Sequence, residues 1–298
     1  TVGTQAGLDD YRAAMRTLEP WLDDPEAKAA AEKLKLGIES YTGSALAELG
    51  QLEEGVAYTM RAIDGTRDLV KSDPGNYSYR YDAVMLSSDL TSILQRLGRR
   101  EDAFKYAQLM VDDSEELVRR DPENINYAHW LGVAYFSRGS ALVDEGKTEE
   151  GLADFERSLA RFEENVRIAP NYVESRDNLP PVLARTAITY RQVGRNDDAI
   201  AILRKSVDIA KANFDGSPSD VGLAVAYTSS LGQLGDLLAT NGQAAEAIPI
   251  QELAIKTHGE KIERDPDNMQ LQRNYATLHA RIAQSYLWAG QRTKAETA

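Results

Sequence analysis

Apolar side chains recur along this chain at intervals of seven. The runs are Phe104, Val111, Val118; Leu152, Leu159, Val166; Ile200, Val207, Phe214; and Ile248, Ile255, Ile262. Two turns of α-helix take about 7.2 residues, so this spacing holds one helical face in register. Each run starts six residues beyond a glycine, and those glycines form a ladder at 50, 98, 146, 194, 242 and 290, always 48 apart. Four residues before each glycine stands Leu46, Leu94, Leu142, Tyr190, Leu238 or Tyr286, marking a second helix upstream. Small residues keep the same phase five beyond each glycine (Gly55, Ala103, Gly151, Ala199, Ala247, Ala295) and seven before it (Gly43, Thr91, Gly139, Ala187, Gly235, Ala283). Prolines stand at 74, 122, 170, 218 and 266, again 48 apart.

The pattern predicts a repeating helical hairpin. Glycine caps the end of a first helix, A, and proline closes a second, B. Each helix has roughly 20 residues, and small residues at the crossing let the two backbones approach. No strand pattern competes, so the predicted fold is all-α. It is a single solenoid over 1–298 with units at 26–73, 74–121, 122–169, 170–217 and 218–265, and partial units at 1–25 and 266–298. Leu8, Met15 and Leu22 fill the B-helix slots of a unit without its A helix, and Gly290 opens a B helix of about one turn. The expectation is a segment of something longer, or ends that pair with a second copy. Pro180-Pro181 in the fourth A helix and Pro249 in the fifth B helix each remove a backbone donor and are expected to kink or restart the helix.

Composition narrows the chemistry. Of 298 residues, 34 are Lys or Arg and 47 are Asp or Glu, a net charge of −13. That balance repels phosphate backbones and argues against nucleic acid or anionic lipid as the partner. No apolar run approaches the ~20 residues of a membrane-spanning helix, which predicts no membrane insertion. Cysteine is absent, excluding disulfides, thiolate nucleophiles and Cys-based zinc sites.

Small residue, turn glycine, small residue and closing proline in this order is similar to the tetratricopeptide (TPR) repeat, a helix-turn-helix unit of about 34 residues. With a 48-residue period each helix is seven residues longer, two turns that leave the packing face unrotated. The resemblance covers nearly the whole chain and implies a right-handed α-α superhelix of about five and a half units acting as a non-catalytic protein-interaction scaffold. Long repeats with the joints Asp73-Pro74-Gly75-Asn76, Asp121-Pro122-Glu123-Asn124 and Asp265-Pro266-Asp267-Asn268 resemble those trailing some bacterial serine/threonine kinases. That likeness implies a signalling role and, for a kinase tail, a place outside the cytoplasm; a free-standing protein is expected in the cytoplasm.

The resemblance also implies a concave surface lined by A-helix residues, 13, 10, 6 and 3 positions before each glycine. Candidate partner contacts at those positions are Met85, Ser88, Ser92, Phe136, Ser140, Ile188, Arg191, Asp236 and Gln284. Tyr81, His129 and Arg273, with Lys33 and Asp177, form a more polar rim one turn away. The face carries few charges, and the Lys, Arg and Asn of the family's carboxylate clamp are missing from it. The reading is therefore a neutral groove for a protein or peptide segment, without catalytic residues, cofactor or metal. The competing reading of the same small residues is simple packing.

Other motifs carry bland explanations. Residues 141–148, Ala-Leu-Val-Asp-Glu-Gly-Lys-Thr, imitate a relaxed Walker A loop, the basis of a nucleotide-binding alternative. They fall at a helix end, where amides are already used. His129, His258 and His279 have no i, i+4 partner among themselves, and His279 shares an inter-helix slot with Leu183 and Leu231, a packing position. Asp112-Asp113 and Glu115-Glu116 are expected on a solvated B-helix face. A second functional reading is self-association through the terminal helices.

Overall fold

The computed structural model describes residues 2–298, which are 84% helical without strands. The helices are α1 (Val2–Leu18), α2 (Lys28–Glu48), α3 (Leu52–Ser72), α4 (Tyr77–Arg96), α5 (Arg100–Arg120), α6 (Ile125–Asp144) and α7 (Thr148–Ile168). They continue with α8 (Val173–Gln192), α9 (Asn196–Gly216), α10 (Val221–Thr240), α11 (Ala244–Ile262), α12 (Met269–Trp288) and α13 (Arg292–Thr297). Even-numbered helices are the A helices and odd-numbered ones the B helices of the repeat. The chain groups into two compact units, 1–179 and 180–298, divided inside α8 at the Pro180-Pro181 pair.

Local chemistry sets the helix ends. Each ladder glycine has a positive φ, between 71° and 85°. At Gly146 the left-handed turn lets Gly146 N–H donate to Val143 O and Lys147 N–H to Leu142 O, both at 2.9 Å, closing the helix in a Schellman turn. The asparagine of each Asp-Pro-x-Asn joint is an N-cap. Asn76 accepts from Ser78 N, Asn124 from Asn126 N and Tyr127 N, and Asn268 from Leu271 N, while Asp220 does the same for Leu223 N. Those joints are thus explained by helix capping.

The expected restarts of the helix at proline are not observed. α8 runs through Pro180 and Pro181, and α11 through Pro249. A missing N–H forfeits one i→i−4 bond, while the flanking bonds and the buried faces hold the helix together.

In the first unit Ala47, Val56, Ile63, Leu86, Leu90 and Leu94 form one buried cluster, and Val84, Met110, Val111, Leu117 and Leu131 the next. In the second, Tyr227, Leu231, Ala254 and Leu278 form another. The predicted stripe is buried where it begins, at Leu152 and Ile248, and half-buried where it ends, at Val118, Val166, Phe214 and Ile262. Deeper in the hairpins lie the positions 9 and 16 beyond each glycine: Thr59 and Thr66, Phe155 and Phe162, Gln251 and His258. Opposite them the A helix is small. A Cβ on Gly139 would meet the Phe155 ring at 2.9 Å, and one on Gly235 would meet Gln251 at 2.5 Å.

One charged segment corrects the sequence reading. Asp113 is not on a solvated face; it is 7% exposed and held by Arg67 at 3.1 Å and Arg80 at 2.6 Å. Burial pushes its carboxyl above the usual range, against the pull of the two guanidinium groups. Glu115 accepts from the Tyr135 hydroxyl at 2.8 Å, and Glu116 pairs with Arg119. The apolar period alone gave no sign that arginines on neighbouring helices converge there.

Candidate functional site

Each unit has its own set of A-helix residues. In the first, formed by α2, α4 and α6, Met85 (40% exposed) and Ser92 face solvent, while Ser88 and Ser140 are half-buried. Phe136 is half-buried because its ring packs on Phe155 of α7, 5.5 Å between centroids. Tyr81 is tied into the fold: its hydroxyl accepts from Asn126 Nδ2 at 3.0 Å and Trp130 Nε1 at 2.9 Å.

His129, read as a polar rim residue, lies in the interior at 6% exposure. Its Nδ1 shares a hydrogen bond of 3.1 Å with Ser175 Oγ, and Trp130, Phe162 and Tyr172 surround the ring. Burial holds its pKa below the ordinary 6.5. A side chain enclosed this way contributes to packing, since no ligand reaches it.

Between α2 and α4 the face opens into a cleft of about 320 Å³. Its α2 wall is built of small residues, Gly37, Ser40 and Ser44, and its α4 wall of Asp82, Met85 and Asp89. Lys33, Leu36 and Leu86 line it too, with Thr66 and Leu69 of α3, and Tyr41, 61% exposed, stands at the rim. Only Met85 and Lys33 of this set figure in the sequence reading. The same offsets counted back from Gly50 would have supplied Gly37, Ser40 and Ser44; Asp82 and Asp89 lie off those offsets, and only the proximity of α2 makes them part of a cleft.

In the second unit Ile188 (47% exposed) and Arg191 line an open cleft of about 470 Å³ with Leu237 and Thr240. Asp236 is half-buried, and Arg273 and Gln284 are exposed at separate levels of α12. The sequence-derived residues of this unit therefore do not converge on one point. His279 is half-exposed, unlike Leu183 and Leu231 in the equivalent slot, and meets Tyr275 edge-on at 4.5 Å. Its Nδ1 shares a hydrogen bond of 2.6 Å with the carbonyl oxygen of Ala298, just past α13.

The Walker-like octet forms no phosphate cradle. Ala141–Asp144 belong to α6, and the amides of Glu145, Gly146 and Lys147 donate to Ala141, Val143 and Leu142 at 3.0, 2.9 and 2.9 Å. Lys147 Nζ pairs with Glu145 at 2.9 Å. Amides already spent on capping cannot bind phosphate. Among the described residues no three His, Asp or Glu side chains are grouped to hold a metal ion, and no helix is long and apolar enough to cross a membrane.

Comparison with known proteins assigns the class. By sequence, no protein-family model and no curated protein matches the chain. By structure, the chain is similar to BtubC (BKLC) from P. vanneervenii, with a TM-score of 0.58 at 19% identity, covering 83% of this chain and 87% of that one. A putative kinesin light chain from Podosopora anserina with nearly identical TPR-like repeats gives 0.53 at 15% identity, covering 71% and 89%. The apo form of RapI gives 0.50 at 13% identity, covering 96% and 99%. The chain has a TPR-like helical-repeat fold, the class to which its 48-residue period points.

Proposed function

We propose that the protein is a non-catalytic interaction module that binds a peptide or protein segment on the face formed by its A helices. The observation that carries this reading is the α2–α4 cleft, an open and mainly apolar groove that the chain's own side chains leave unfilled. Small residues on one wall and an exposed tyrosine at the rim suit an extended segment read by shape and by hydroxyl hydrogen bonds. The fold supports the same reading, since a stack of helical hairpins offers extended faces for binding.

The test is affinity capture from the source organism's lysate and membranes, comparing wild type with a Ser40→Arg, Met85→Arg variant, altered on both walls of the cleft, that keeps its circular dichroism. Proteins held by wild type and lost by the variant establish the A-helix face as the binding surface. Identical captured sets remove it.

A second reading, self-association, is favoured by a separate apolar groove of about 560 Å³ between α1 and α2, where Trp21 and Leu34 are 53% and 58% exposed. Light scattering decides it: a strict monomer at tens of micromolar ends this reading.

A further inference from the structure

Crowded carboxylates in the first unit are met by arginine. Glu39 pairs with Arg61 at 3.0 Å, Asp113 with Arg67 and Arg80, and Asp154 with Arg138 at 2.6 Å and Arg157 at 3.0 Å. The α2–α4 cleft instead holds two carboxylates that no arginine meets among the described residues, Asp82 half-buried and Asp89 exposed at the open side. Asp82, Met85 and Asp89 share one stripe of α4 at i, i+3 and i+7. The only hydrogen bond to the Asp89 carboxylate among the described residues comes from Ser44 Oγ at 3.4 Å, and no cation lies within ion-pair distance. At the other end Lys33 sits 5.0 Å over the Tyr79 ring and partly offsets Asp82. The unmatched charge is therefore at the Asp89 end.

The rest of the cleft suits a long aliphatic stem. Leu36, Leu86 and Met85 supply apolar wall. Gly37 keeps the opposite side clear, since a Cβ there would meet no atom within 4 Å. Tyr41, stacked on Tyr11 at 5.6 Å, turns an exposed ring toward solvent at the rim. Arginine and lysine combine an apolar stem with a cationic head, and an aromatic face adds attraction for that head.

We infer that this cleft receives a basic side chain, arginine or lysine, of a partner segment, its methylenes lying along Leu36, Leu86 and Met85 and its charge meeting Asp89 and Ser44. Charge complementarity selects this occupant over a purely apolar one. Arginine is the better fit, because its planar fork can engage a carboxylate with two parallel hydrogen bonds. The inference deepens the interaction reading above and rests on it only for the source of the side chain.

The experiment titrates the isotopically labelled chain with N-acetyl-arginine N-methylamide and follows backbone amide shifts. The uncharged citrulline and norleucine analogues serve as parallel probes. Saturable shifts at Gly37, Ser40, Ser44 and Asp89 are expected with the arginine amide in the millimolar range, and at least fivefold weaker binding of either analogue. Asp89→Asn should weaken the arginine amide about fivefold or more, while Asp267→Asn on an exposed joint leaves it unchanged. The amide spectrum itself reports that each variant is folded. Equal binding of norleucine would make the cleft an apolar slot, and shifts that grow with protein concentration alone would give it to a second copy. Either result overturns the inference, as does an unaffected Asp89→Asn or the absence of shifts. Lysate capture and this titration fail independently: a captured partner without arginine-amide binding removes only the basic side chain, and the converse removes only the protein partner.

Discussion

At the scale of single residues, the interior of this protein is more polar than its period suggests. His258 is 1% exposed, its Nδ1 3.0 Å from Thr228 Oγ1 and its Nε2 3.0 Å from the Leu271 carbonyl oxygen. Burial holds the pKa of both His258 and His129 below 6.5. A base whose folded pKa is depressed adds stability above its unfolded pKa and loses it as pH falls through the folded value. The thermal unfolding midpoint should therefore fall as pH drops from about 7 to about 5, the window opening near 6.5. Asp82 and Asp113, with carboxyls held above 3.8 by burial, act with the opposite sign. Comparison with a His129→Gln, His258→Gln variant isolates the histidines, and it should show a flatter slope over the same range. Equal slopes would assign the acid sensitivity to other groups.

At the scale of the helical element, the hairpin depends on how closely A and B cross. A Cβ on Gly139 would stand 2.8 Å from the Gly151 carbonyl oxygen, and one on Gly151 would stand 2.6 Å from that of Gly139. Real Cβ atoms do not approach backbone so closely, so α6 and α7 would have to separate. Gly139→Val should cost about 1–3 kcal/mol or more in chemical denaturation, because a packed crossing accommodates added volume only by backbone shift. Gly216→Ala is the matched control: a Cβ there meets nothing within 4 Å, and removing glycine's excess freedom should be neutral or slightly stabilising. A Gly139→Val variant as stable as wild type would show that the crossing is not the limiting contact.

At the scale of the whole molecule, stability is distributed over neighbouring hairpins. Arrays of this kind behave approximately as a sum of repeat stabilities and nearest-neighbour interfaces. Val111, 1% exposed, packs in the cluster that joins α4, α5 and α6. Val111→Asp should therefore strip amide protection from those helices first in native-state hydrogen exchange, while α10 to α12 retain it. Uniform loss over residues 2–298 would contradict nearest-neighbour stabilisation.

The sequence by itself determined the helices, their pairing and their ends. The 48-residue period carries that information, because turn glycines, closing prolines and capping asparagines act within a few residues of their own position. The exposed A-helix positions Met85, Ser92 and Ile188 were legible for the same reason, since periodicity assigns a helical face. Only the tertiary structure decided which polar groups are enclosed and which stay open. Asp113 looks like part of an acidic surface run until Arg67 and Arg80 arrive from other helices, and His129 looks like a rim residue until Ser175 and Tyr172 close over it. Asp89 is the reverse case, an ordinary carboxylate along the chain that becomes an unmatched charge once α2 supplies the facing wall. Period and propensity are properties of near neighbours, whereas the enclosure of Asp113 and His129 and the setting of Asp89 depend on side chains more than thirty positions away, and these meet only when the hairpins pack.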